Sequence, residues 1–137
     1  MTLIFDYWTP PGWGGKVASR ARVRGREADY ANRHWVYICG LLWSDYQTAD
    51  ACARVLREIA SVERGELSEG GWAGNAWRTT VTRGGVQIDH HTNPEWDEQA
   101  DGHFRLAEFK AAIEGWKHFL EMPASLDSRL EISLPCR

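Results

Sequence analysis

Cysteine is scarce in this chain: Cys39, Cys52 and Cys136 are the only three in 137 residues, an odd number without metal-ligand spacing. Cys39 and Cys52 lie in apolar stretches and read as small buried hydrophobes, a usage that fits a reducing, cytoplasmic setting. Long apolar runs are missing too. The longest, Trp35–Trp43, falls well short of the roughly 20 residues that span a bilayer, and the N-terminus lacks the basic-then-apolar layout of a signal peptide. No membrane partner is expected. Catalytic signatures are also absent: there is no His-Glu-x-x-His, no Cys-x-x-Cys and no Gly-x-Ser-x-Gly elbow. The glycine-rich pieces Gly12-Trp13-Gly14-Gly15 and Gly70-Gly71-Trp72-Ala73-Gly74 lack the lysine and the strand-to-helix setting of a phosphate loop, and read as turns. The expectation is a protein with no catalytic residues, no cofactor and no metal.

What the chain does have is tryptophan, eight residues of it. Each can bury roughly 150–250 Å². Trp13, Trp72 and Trp96, in Gly-, Pro- or acid-rich surroundings, are the ones expected to stand at the surface. The length suits one domain over residues 1–137, able to bury about two thirds of its unfolded surface without a staple. Leu3–Trp8 and Lys16–Arg24 read as a hairpin around Thr9-Pro10-Pro11-Gly12, and Gly25–Arg33 as loop. His34–Trp43, rich in β-branched and aromatic residues, favours strand, with the start of a buried helix as the alternative. Thr48–Arg64 is a helix: Thr48 is placed to cap it, Asp50 suits its first turn, and Gly65 stops it. Glu66–Asn75, dense in glycine, reads as loop. A second hairpin spans 76–91, with Val86 and Ile88 alternating against Gln87 and Asp89. The acidic loop Asn93–Gly102 leads into a helix from about Ala107 to Glu121, ended by Met122-Pro123. Within the tail from Pro123 to Arg137, Leu130–Leu134 is a possible last strand. Two amphipathic helices packed on one face of an antiparallel β-sheet would hide every apolar face, which predicts an α+β fold.

Three clusters carry functional weight. Asp89-His90-His91 with His103 could suggest a metal, but neighbours on a strand point to opposite faces, so these histidines read as solvated. Arg20, Arg22, Arg24 and Arg26 recur at every second residue, a spacing that lines one strand face with guanidinium groups. That face is either a phosphate-tracking stripe of a nucleic-acid-binding regulator or a solvated, charge-guarded one. The charge balance bears on the choice. Residues 1–35 hold six Lys or Arg against three Asp or Glu, whereas residues 36–137 hold ten against sixteen, for −3 overall. Nucleic acid is therefore the weaker partner class, and the acidic larger part suits a basic protein. Glu95, Trp96, Asp97, Glu98 and Asp101, with Glu66, Glu69 and Trp72 of the loop before the hairpin, form the third cluster: indole anchors among carboxylates, the composition of a protein interface.

From Trp72 onward the pattern Trp72, Ala76–Thr82, Arg83-Gly84-Gly85, Val86–His91 and Phe109-x6-Trp116-x2-Phe119-Leu120 resembles small bacterial immunity proteins of polymorphic and contact-dependent growth-inhibition toxin systems, with a YacL-like layout. The order there is hairpin, helix, second hairpin and C-terminal aromatic helix, and the resemblance covers about half the chain. It implies a cytoplasmic protein that binds a cognate toxin C-terminal domain, often a basic nuclease, and blocks its active site or substrate groove. The resemblance implies no catalytic residue and transfers no binding face, so the partner-binding residues above come from charge and exposure alone.

Overall fold

The computed structural model describes residues 1–24, 32–90 and 93–135. Arg26, Tyr30, His91 and Cys136, and most of the expected loop at 25–33, lie outside that range. The strands are β1 (Thr2–Trp8), β2 (Ala18–Val23), β3 (Gly70–Ala73), β4 (Trp77–Thr82), β5 (Gly85–His90), β6 (His103–Phe104) and β7 (Arg129–Ser133). The helices are α1 (Gly40–Asp45), α2 (Ala49–Glu63) and α3 (Leu106–Leu120). The class is α+β, and the strands divide into two antiparallel sheets, ordered β2-β1-β7 and β3-β4-β5-β6. The single sheet expected from sequence is thus two, and a third helix joins the two that were read. No helix among the described residues is long and apolar enough to cross a membrane.

Helix α3 joins the two sheets. It touches β1 and β7 of one, β5 of the other, and runs along α2. Its stripe of Phe109, Ala112, Ile113, Trp116 and Phe119 is buried, as the 3.6-residue period requires. Phe5 of β1 meets the Trp116 ring edge-on at 5.1 Å, and the Trp116 indole N–H donates to the Tyr46 carbonyl at 2.6 Å. Gly115 lets α3 approach the three-stranded sheet: a Cβ would stand 2.7 Å from Ile132 Cδ1 and 3.3 Å from Phe5, so a larger residue would require Ile132 to move.

Helix α2 follows its sequence signals. The Thr48 hydroxyl accepts from the Ala51 N–H at 3.1 Å, and Gly65 follows the helix with φ +78°. The segment favoured as strand, His34–Trp43, is helical: a π-helical stretch, His34–Cys39, runs straight into α1. Burial of His34, Tyr37, Ile38, Leu41 and Leu42 shows the reason. These positions form a helical stripe, and tertiary burial of that stripe outweighs the strand preference of the individual residues. Asn32 starts the helix, its side-chain oxygen accepting from the Trp35 N–H at 3.1 Å.

The glycine-dense loop contains β3, which pairs with β4 along Gly70–Ala73. Backbone contact explains it, since a Cβ on Gly71 would lie 2.9 Å from the Thr79 carbonyl oxygen. The turn between β4 and β5 is two residues, Arg83-Gly84, because Gly85 already pairs with Thr82. The acidic loop holds two 3-10 turns, Pro94–Trp96 and Ala100–Gly102. β7 covers most of the expected last strand and pairs with β1.

Candidate partner-binding site

The expected interface residues do not gather in one place. Glu66 and Glu69 are exposed just before β3, on one edge of the four-stranded sheet, while residues 95–101 run along β5 toward β6 at the other. Two to three interstrand spacings, about 10–14 Å, separate β3 from β5 and β6. Glu66 is held by the Arg64 guanidinium, whose hydrogen bond and charge lower its carboxyl below the usual range. Asp97 pairs with Arg78 at 2.9 Å, and Arg78 reaches Asp89 at 3.6 Å. Asp89, buried, accepts from the Glu98 N–H at 2.8 Å. These bonds fold the acidic loop onto the outer face of β5 and leave Glu95, Glu98 and Asp101 exposed. Trp96 lies in the first 3-10 turn.

Trp72 points the other way. It pairs with Thr79, which is 1% exposed, so its side chain lies on the core face of the sheet. There its indole N–H donates to the Tyr46 hydroxyl and its ring tilts against the Tyr46 ring at 6.1 Å. Burial, first, keeps the Tyr46 phenol far above its usual range, so this contact is a neutral structural bond. Trp72 supports the fold where the sequence suggested a surface anchor.

Exposed indoles do gather elsewhere. Trp8 at the end of β1, Trp13 in the glycine turn and Trp43 in α1 are 36%, 50% and 57% exposed. All three line one groove of about 690 Å³, which Tyr7, Gln47 and Leu120 help to form. Two turn bonds present Trp13: its N–H donates to the Pro10 carbonyl at 3.2 Å, and its own carbonyl accepts from Lys16 N–H at 3.1 Å. Trp43 projects because it falls off the buried stripe of its helix. The Tyr7 ring lies 4.8 Å from Phe119, so the groove is floored by the aromatic core, and burial raises the Tyr7 phenol and keeps it a neutral hydrogen-bonding group. The Arg20 guanidinium stands 5.6 Å from the Trp8 ring centre. Of the three, only Trp13 carried a sequence signal, its glycine and proline neighbours.

The arginine strand is ion-paired. Arg20 and Arg22 reach Asp6 at 2.9 and 2.7 Å, and Arg24 binds Glu131. Burial would raise the Asp6 carboxyl, but hydrogen bonds and charge from Arg20 and Arg22 outweigh it and hold the group below its ordinary value. This arrangement follows the structural reading of the stripe. Among the histidines, the His90 ring packs edge-on against Trp77 at 5.6 Å, and His103 is exposed on β6. His34, which no sequence signal marked, is buried and meets Glu108 Oε2 at 2.7 Å. No group of three or more metal-ligating side chains gathers among the described residues. Burial pushes the Cys39 and Cys52 thiols up to about 12 and about 11, which keeps them protonated and poor nucleophiles.

Comparison of the chain with family models, with curated proteins and with solved structures yields no match.

Proposed function

We propose that this chain acts by stoichiometric binding of another protein, as an immunity protein that occupies a cognate toxin domain and blocks its active site or substrate groove. The observation that carries the reading is the convergence of Trp8, Trp13 and Trp43 on one groove. Large aromatic side chains that could pack inward are left facing solvent together, which is the composition of interface hot spots. The acidic loop supplies the second element. Asp45, two residues after Trp43, accepts from the backbone N–H groups of Asn75, Ala76 and Trp77 at 3.1 Å each. That contact ties the end of α1 to the start of β4, where Arg78 holds Asp97. The carboxylates of Glu95, Glu98 and Asp101 would steer a basic partner, and the indoles would anchor it. Glu66 and Glu69 stand on the other edge of the four-stranded sheet from this loop. A stable pair of this kind buries about 1,200–2,000 Å² in total.

The test is co-expression with any candidate toxin domain encoded in the neighbouring reading frame. One-to-one co-purification and protection of the host, both lost on Trp13→Ala with Trp43→Ala in a folded variant, are the expected results. A chain that neither co-purifies nor protects is not an immunity protein for that toxin.

A further inference from the structure

Strand β7 ends one side of the three-stranded sheet, and among the described residues no strand pairs with its outer edge. We propose that this edge pairs antiparallel with β7 of a second copy of the chain, joining two three-stranded sheets into one of six. No residue of β7 lines the aromatic groove, so the contact stands apart from the one that the indoles would make. Hydrogen bonding fixes which backbone groups are available. The Leu134 N–H donates to the Met1 carbonyl at 2.9 Å, and the register then matches Leu3 with Ile132 and Phe5 with Leu130. Bonded pairs alternate along an antiparallel ladder. Leu130 and Ile132 therefore turn their N–H and C=O groups toward β1, whereas Arg129, Glu131 and Ser133 turn theirs outward. No described residue bonds those outward groups. The edges of the other sheet differ: the Gly71 N–H of β3 donates to Glu58 at 2.9 Å, and the His103 carbonyl of β6 accepts from Arg33.

Charge selects the partner and the register. Arg129 and Glu131 are exposed on one face of the strand, 3.8 Å apart. Arg24 and Arg129 both approach Glu131 through Oε1, which leaves Oε2 to a further cation. With a two-fold axis at Leu130, Arg129 stands opposite the partner's Glu131, and Glu131 opposite the partner's Arg129. Both matches fall at outward-facing, bonded positions, and the two half-buried Leu130 side chains meet between them. Moving the axis to Glu131 would instead set two carboxylates face to face, which opposes pairing. Sheet edges closed to pairing carry proline, a bulge or repelling charge. β7 contains no proline, carries both signs, and holds its register with β1 through five consecutive pairs. An edge of five residues buries less than the about 1,200 Å² of a standard interface, so the association is weak and concentration-dependent.

Sedimentation equilibrium of the whole chain, from micromolar to millimolar concentration, is the test. The average mass is expected to rise toward that of two chains, while the amides of Arg129, Glu131 and Ser133 exchange more slowly. Glu131→Arg and Arg129→Glu each set like charges opposite one another and should weaken self-association at least about tenfold. Mixed in equal amounts, the two folded variants should regain wild-type affinity, because each then meets opposite charges on the other. Loss of folding cannot produce that recovery. A wild type that stays monomeric at millimolar concentration would overturn the proposal. So would association that protects other amides, single variants that associate as the wild type does, or a mixture of folded variants that fails to pair.

Discussion

The aromatic cluster beneath α3 and the aromatic groove at the end of β1 are made of the same residue types and touch through Tyr7 and Phe119, yet water treats them differently. In the cluster, Phe5, Trp116 and Phe119 are fully buried, and the one polar atom of the indole is bonded. In the groove, Trp8, Trp13 and Trp43 keep a third to more than half of their surface in solvent. The difference shows that tryptophan count alone says nothing about function here. What separates a stabilising indole from an available one is its place relative to the helical stripe or strand face that carries it.

Variants in the two regions should therefore fail in different ways. Trp116→Ala removes a fully buried indole and strands the Tyr46 carbonyl. A loss of about 3–5 kcal/mol is expected in urea unfolding, comparable to the whole stability of a small domain. Next comes Asp6→Asn, which leaves Arg20 and Arg22 without their shared carboxylate. The expected cost is about 2–3 kcal/mol, below that of a fully buried pair because Arg20 is partly open to solvent. Asp6 titrates below its ordinary value when folded, so its contribution is complete above about 3.8 and is lost as pH falls through the folded value. Acid unfolding of the wild type should accordingly be steeper below that pH than in Asp6→Asn. Trp13→Ala and Trp43→Ala should each cost under about 1.5 kcal/mol, because half of each ring is already exposed, while each weakens the proposed partner binding about tenfold. The smallest effect concerns the thiols: Cys39 and Cys52 should resist alkylation in the native protein and react once it is unfolded in denaturant.

Legibility from sequence followed the same division. Helices α2 and α3 could be read because an apolar stripe coincided with end signals, Thr48 and Gly65 for one and Pro123 for the other. The His34–Trp43 segment carried a helical stripe too, but its valine, isoleucine, tyrosine and tryptophans spoke for strand, and only packing decided between them. β3 had no side-chain pattern to find, since Gly70 and Gly71 have no side chains. The split into two sheets was hidden because β1 pairs with β7, near the opposite end of the chain, and no local signal encodes that register. At the site, Trp13 announced itself through its neighbours. Trp43 was concealed by the strand reading of its segment, which assigns faces at a period of two and cannot show that it leaves the buried stripe. The carboxylates looked like one cluster because they flank the same hairpin in sequence, whereas the sheet sets them on opposite edges.

The central claim is that the exposed indoles are a binding surface and the buried ones a scaffold. Titration calorimetry of a partner domain that co-purifies with the wild-type chain into the Trp13→Ala, Trp43→Ala double variant tests it directly. The account predicts an unfolding transition close to that of the wild type, with affinity reduced at least about a hundredfold, the scale of two hot-spot residues. Unchanged affinity in that folded variant would contradict it.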